Sequence, residues 1–137
     1  MVENCIFCKI AKGESPASIV GESPCCLAFL DIHPVNKGHI LVIPKEHYVT
    51  FLDLPDSVLQ DAALFIKKIS KALCEGLENQ YFSIFQRNGK IAGQEIPHLH
   101  FHILPRFKED KLRVWGGRVQ YKEGETRDLI SKIQNHL

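Results

Sequence analysis

Between residues 55 and 75 apolar positions recur every three or four residues: Val58, Ala62, Phe65, Ile66, Ile69, Ala72 and Leu73. A single stripe at that period predicts an amphipathic helix. Pro55 suits its first position, Asp56 favours the positive end of its dipole, and Gly76 predicts its stop. Elsewhere the pattern changes period. Residues 97–105 (PHLHFHILP) alternate strictly and predict a strand. Residues 39–44 (HILVIP) form a short apolar run bounded by Gly38 and Pro44, the mark of a strand buried on both faces or nearly so. Residues 18–22 and 25–32 read as strands joined at Ser23-Pro24, and 80–86 (QYFSIFQ) as an aromatic-rich strand. Residues 5–12 predict one or two helical turns closed by Gly13. Residues 127–137 predict a terminal helix with Leu129, Ile130, Ile133 and Leu137 on one face. Strands in short succession around one long central helix predict an α+β fold, with a mainly antiparallel sheet of about five strands and short terminal helices. The repeated βαβ units and glycine-rich first turn of a dinucleotide-binding fold are absent.

Composition narrows the class. With 137 residues, 45% hydrophobic and 24% charged, the chain is expected to be one globular domain, 1–137. No run approaches the ~18 apolar residues of a membrane span, and the N-terminus lacks the pattern of a signal peptide. Five cysteines, two of them adjacent (Cys25-Cys26), suit a reducing cytoplasm better than a disulfide framework. The net charge of +1 gives no argument for nucleic acid or membrane partners. It is unevenly spread: residues 1–85 carry 7 positive and 10 negative groups, residues 86–137 carry 10 and 6. An anion site is therefore expected in the second part.

Two clusters carry chemistry. On a strand, His98, His100 and His102 point to one face about 6.6 Å apart, and Leu99, Phe101 and Ile103 point to the other. Three aligned imidazoles suit a metal site, or a nucleophile with its orienting partners. A solvated face is the bland alternative. The second cluster is Cys5-x-x-Cys8 with His47 and His98, a donor set that could close a tetrahedral zinc site. Alternatively the two cysteines form a redox pair or simply pack. Cys25, Cys26 and Cys74 read as small apolar residues.

The run His98-Leu99-His100-Phe101-His102-Ile103-Leu104 resembles the signature of the histidine triad (HIT) superfamily. The segments 27–34 (LAFLDIHP) and 38–45 (GHILVIPK) look like that family's N-terminal strands, and Ala92-Gly93-Gln94 like the loop before its triad. The resemblance covers residues 4–106, and the tail 107–137 matches poorly. It implies a homodimer with a purine nucleotide site over an antiparallel sheet. The implied reaction is attack on the nucleotide's α-phosphate through a covalent nucleotidyl-histidine. His100 maps to the nucleophile, His102 to a donor toward the phosphate, and His39 to a supporting histidine. Asp31 matches the acid that bonds ribose hydroxyls in the Hint-like branch, where the fragile-histidine-triad branch usually has Asn. Phe7, Ile10, Phe29 and Ile32 fall where the family walls the purine, and Gln94 where it bonds phosphate or leaving group. Cys5, Cys8, His47 and His98 match a structural zinc set found in some prokaryotic members; no organic cofactor is implied.

Two positions depart from the pattern. Arg87 stands where a phosphate-side Asn is usual, with Asn88 following as its possible substitute. Glu95 stands where Ser or Thr is common, and its charge leads one to expect a side chain turned away from phosphate. The function expected is a hydrolase or transferase acting on purine nucleoside phosphoramidates or related adenylates. Alternatives are a dinucleoside polyphosphate hydrolase, a nucleotide-binding scaffold with negligible turnover, and a zinc hydrolase using the three histidines as ligands. Trp115, the only tryptophan, is expected near a nucleotide site, with a place in the core or at a dimer interface as the alternative.

Overall fold

The computed structural model describes residues 2–112 and 118–137; the expectation for Trp115 lies outside the described residues. In chain order the elements are α1 (Ile6–Ala11), β1 (Ile19–Glu22), β2 (Cys26–Leu30), β3 (Ile40–Pro44), α2 (Asp56–Leu77), β4 (Phe82–Gln86), β5 (Phe101–Pro105) and α3 (Glu125–Gln134). The five strands form one sheet in the order β1-β2-β3-β5-β4, every neighbouring pair antiparallel. The α+β expectation with a five-stranded antiparallel sheet is met. Among the described residues no helix is long and apolar enough to cross a membrane.

The period of two in the central strands sorts their side chains between two cores. On one face Cys26, Ala28, Leu30, Ile40, Val42, Phe101 and Ile103 pack against the apolar stripe of α2 and against Leu129 and Ile133 of α3. On the other, Leu27, Phe29, Leu41 and Ile43 meet Cys5, Phe7 and Cys8 around α1. Both faces are covered, so β2 and β3 are buried along their whole length. Register then sets the site. Phe29 pairs with Leu41, Leu41 with His102, and His102 with Phe85, so one row of side chains crosses four strands on the α1 face.

Several boundaries differ from the sequence reading, and three of the differences have a physical reason in the structure. Helix α2 runs past Gly76 to Leu77, and Glu78 adopts the left-handed cap (φ 53°). Gly76 is instead a contact point: a Cβ there would lie 2.8 Å from the carbonyl oxygen of Lys132 in α3. Helix α3 begins at Glu125, two residues early, because the Glu125 carboxylate accepts from the Lys122 amide at 2.8 Å. The histidine strand is shorter than its alternating pattern. Its ladder starts at Phe101, because Pro44 of β3 has no amide to donate and its carbonyl takes the His98 side chain instead.

Candidate functional site

Each histidine of the triad makes a contact that fixes which ring nitrogen carries the proton. His100 Nδ1 lies 2.8 Å from the His98 carbonyl oxygen, which can only accept. The proton is therefore on Nδ1, and Nε2 keeps its lone pair. Burial lowers the pKa of His100, which keeps that lone pair available near neutrality. His39 behaves oppositely. Its Nδ1 accepts from the Val35 amide at 3.2 Å, so its proton sits on Nε2 and is donated to His102 Nδ1 at 2.9 Å. That leaves the His102 proton on Nε2. Burial holds both rings neutral, His39 at about 3 and His102 at about 2. A relay from the Val35 amide through His39 thus ends in a donor, beside a histidine that presents an acceptor.

His100 and His102 pack edge to face, with ring centroids 5.0 Å apart. Both line a cavity of about 400 Å³. Its apolar wall holds Ile6, Phe7, Ile10, Phe29, Ile32 and Ile96. Phe7 stands edge-on to both Phe29 (5.6 Å) and His100 (5.2 Å), which joins α1 to the triad. The polar end holds Asp31, Arg87, Glu95 and Arg118. Phe85 stacks on His102 at 4.4 Å, and the Arg87 guanidinium carbon lies 5.4 Å from the Phe85 ring centroid. Gly93 (φ 95°) makes room for that arginine, since a Cβ there would come within 2.8 Å of Arg87 Nη1.

Eight predicted residues (Phe7, Ile10, Phe29, Asp31, Ile32, Arg87, His100 and His102) meet at the cavity, and His39 sits fully buried behind it. Gln94 and Asn88 are engaged elsewhere. Gln94 accepts from the Gly89 amide and donates to the Val49 carbonyl, both at 2.7 Å, and so braces the loop. Asn88 accepts from the Phe51 amide at 2.7 Å and exchanges bonds with Gln86. Glu95, expected to face away, is exposed but lines the rim, where its charge favours the protonated form of His100. Arg118 was missed. It lies in the tail, where the chain carries no motif, and only the three-dimensional course of the tail brings it to Asp31.

The second cluster sits under the same strand. The ligand atoms of Cys5, Cys8, His47 and His98 all lie within 4.8 Å of one another. His98 Nδ1 is 3.2 Å from Cys5 Sγ and 3.5 Å from Cys8 Sγ, and His47 Nδ1 is 3.3 Å from Cys8 Sγ. Metal–donor bonds of about 2.0 and 2.3 Å at tetrahedral angles require N–S edges of about 3.5 Å, so the donors fit a tetrahedral ion. His98 Nε2 donates to the Pro44 carbonyl at 2.9 Å, which leaves Nδ1 free to ligate. Burial and the neighbouring Cys8 push the Cys5 thiol up, and a divalent cation among the donors would offset that cost.

Comparison with known proteins bears on the family. Residues 12–109 match the HIT domain family. An uncharacterized HIT-like protein of Methanocaldococcus jannaschii is 47% identical over 125 residues, 91% of this chain and 92% of that protein. An adenosine 5′-monophosphoramidase of Schizosaccharomyces pombe is 47% identical over 107 residues, covering 78% of this chain and 77% of its own. Among solved structures, a Zn-bound histidine triad family protein from Mycobacterium smegmatis superimposes with a TM-score of 0.83 at 35% identity, over 96% of this chain and 94% of its own. On the match across residues 12–109 and these relatives, the chain belongs to the HIT domain family.

Proposed function

We propose that the protein is a nucleotidyl hydrolase or transferase that cleaves purine nucleoside phosphoramidates or related adenylates at the α-phosphate. The observation that carries this reading is His100: its Nδ1 proton is committed to a backbone carbonyl, and its ring lines a cavity with an apolar wall and a polar end. The purine lies against Phe7, Ile10, Phe29 and Ile32, and the ribose hydroxyls bond Asp31. His100 Nε2 attacks phosphorus. The bond to the leaving nitrogen breaks, and that nitrogen departs as an amine after taking a proton from solvent, which the attacking water gives back in the second step. Water then displaces His100 and gives the nucleoside monophosphate. Two easier displacements replace one hard one. His102, fixed by His39, donates from Nε2 to a non-bridging oxygen as charge develops there. Gln94 and Asn88 act indirectly, by holding the loop that carries Gly93 and Arg87. The relative named as an adenosine 5′-monophosphoramidase supports the substrate class.

Zinc at Cys5, Cys8, His47 and His98 is assigned a structural role, tying α1 to the segment before β5. The Zn-bound relative supports zinc as the metal. The protein is taken to work as a homodimer, for which the edge strand β4 offers exposed Phe82 and Ile84, beside Tyr81. Sedimentation at a monomer's rate would reject that part.

The test of the chemistry is mass spectrometry after incubation with adenosine 5′-phosphoramidate. An adenylyl adduct on His100 is expected, and His100→Ala should lose both adduct and turnover, by orders of magnitude. Wild-type turnover in His100→Ala would overturn the assignment. A second reading, dinucleoside polyphosphate hydrolysis, is favoured by the cationic Arg87 at the polar end; a strong kcat/KM preference for the phosphoramidate would reject it.

A further inference from the structure

The C-terminal tail supplies a charged group to the cavity. Arg118 Nη1 lies 3.6 Å from Asp31 Oδ2 and also donates to the His33 carbonyl. The same His33 residue donates its amide to Asp31 Oδ1 at 2.9 Å. Arginine and aspartate are therefore tied directly and through one backbone residue. The tail holds this position at three further points. The Val119 amide donates to the Pro34 carbonyl at 2.9 Å, the Gly38 amide donates to the Tyr121 hydroxyl at 3.0 Å, and Lys37 pairs with Glu125 at 2.8 Å. All three anchor the tail to the 34–38 turn that follows Asp31.

Asp31 needs this support. Its side chain is 14% exposed, and burial works against its charge. The groups facing it are His33, His39, His100, Tyr121 and Arg118. His39 is held neutral, its Nε2 3.8 Å from Asp31 Oδ2. Among the described residues facing Asp31, Arg118 is the group that is charged at every working pH.

We infer that Arg118 is a positioning residue through which the tail sets ribose recognition, keeping the Asp31 carboxylate ionised and aimed at the sugar hydroxyls of the nucleotide. The inference rests on the nucleotide reading proposed above and adds that specificity for ribose is determined from outside the histidine strand. Arg118 acts on the ribose through Asp31, without itself contacting phosphate.

Calorimetric binding of AMP and of 2′,3′-dideoxy-AMP tests this without requiring turnover. Arg118→Gln should weaken AMP binding by about tenfold, the size of a lost charge-assisted hydrogen bond. It should change dideoxy-AMP binding less than about twofold. In an Asp31→Asn background Arg118→Gln should cost nothing more. Arg118→Lys, which keeps the charge, should restore part of the AMP preference. The pH midpoint of that preference should move upward in Arg118→Gln, because removing the cation makes Asp31 harder to ionise. A purely structural tail contact would leave the midpoint where it is. Equal weakening of both nucleotides would show a phosphate contact and overturn the proposal, as would an unchanged preference. If the wild-type protein binds neither nucleotide, the nucleotide reading itself falls; if it binds AMP with the preference untouched by Arg118→Gln, only the tail's role falls.

Discussion

Lowering the pH from 7 to 5 is expected to destabilise the protein through the buried His39–His102 pair. Both rings are neutral in the fold, at about 3 and about 2; an unfolded histidine titrates near ~6.5. As pH falls through ~6.5 the unfolded chain takes up protons that the folded one refuses. The stability held by these rings is thus complete above ~6.5 and declines as pH falls, until the folded values are reached. Linkage gives a loss of about 2 kcal/mol per ring between pH 7 and 5, or about 4 kcal/mol for two independent rings. Any folded-state value below about 4 gives nearly the same figure. Carboxylates and the cysteine–histidine cluster titrate as well, so the informative quantity is a difference between variants. His102→Gln keeps an acceptor for the His39 Nε2 proton and removes one titrating ring. Urea unfolding followed by circular dichroism at pH 7, 6 and 5, with zinc present throughout, should show the variant losing about 2 kcal/mol less than the wild type over that interval. Equal losses would refute the claim that His102 is held neutral by burial.

Three further outcomes follow from the geometry. Gly76→Ala gains up to about 1 kcal/mol of helix propensity, but it drives a Cβ against the Lys132 carbonyl, where overpacking costs about 1–3 kcal/mol; net destabilisation in chemical unfolding is expected, and a more stable variant would show that α3 simply shifts away. Zinc at a thousandfold excess over its Kd should stabilise the wild type by about 4 kcal/mol, seen as a fall in Tm on adding EDTA; the Cys8→Ser variant should lose most of that response, and folded apo-protein should still form the His100 adduct. Immediate loss of adduct formation in folded apo-protein, restored by zinc, would point instead to a catalytic metal. Asp31→Asn should raise KM for adenosine 5′-phosphoramidate by roughly tenfold with a smaller effect on kcat, since a charge-assisted bond to the sugar is lost; an unchanged KM would remove Asp31 from ribose binding.

The sequence exposed what depends on periodicity. Alternation along 97–105 put the three histidines on one side, and the apolar run 39–44 announced a strand covered on both faces; both hold because each face has its own core. Spacing could not show what depends on distant partners. Gly76 looked like a helix stop because its reason for being glycine lies in α3, more than fifty residues away in the chain. Gln94 and Asn88 resembled phosphate ligands, but their amides are bound to Gly89, Val49, Phe51 and Gln86. Arg118 gave no signal, because the tail reaches Asp31 by packing against the 34–38 turn, a contact that leaves no pattern in the sequence.

His98 serves both clusters, and it does so with different parts. Its carbonyl fixes the His100 tautomer, and its imidazole faces Cys5 and Cys8. Every amino acid has a carbonyl, so the first job makes no demand on the side chain. A lineage could therefore discard the metal centre by replacing residue 98, and the two cysteines with it, without surrendering the nucleophile. The cost would fall on folding stability, leaving the chemistry open to selection on its own.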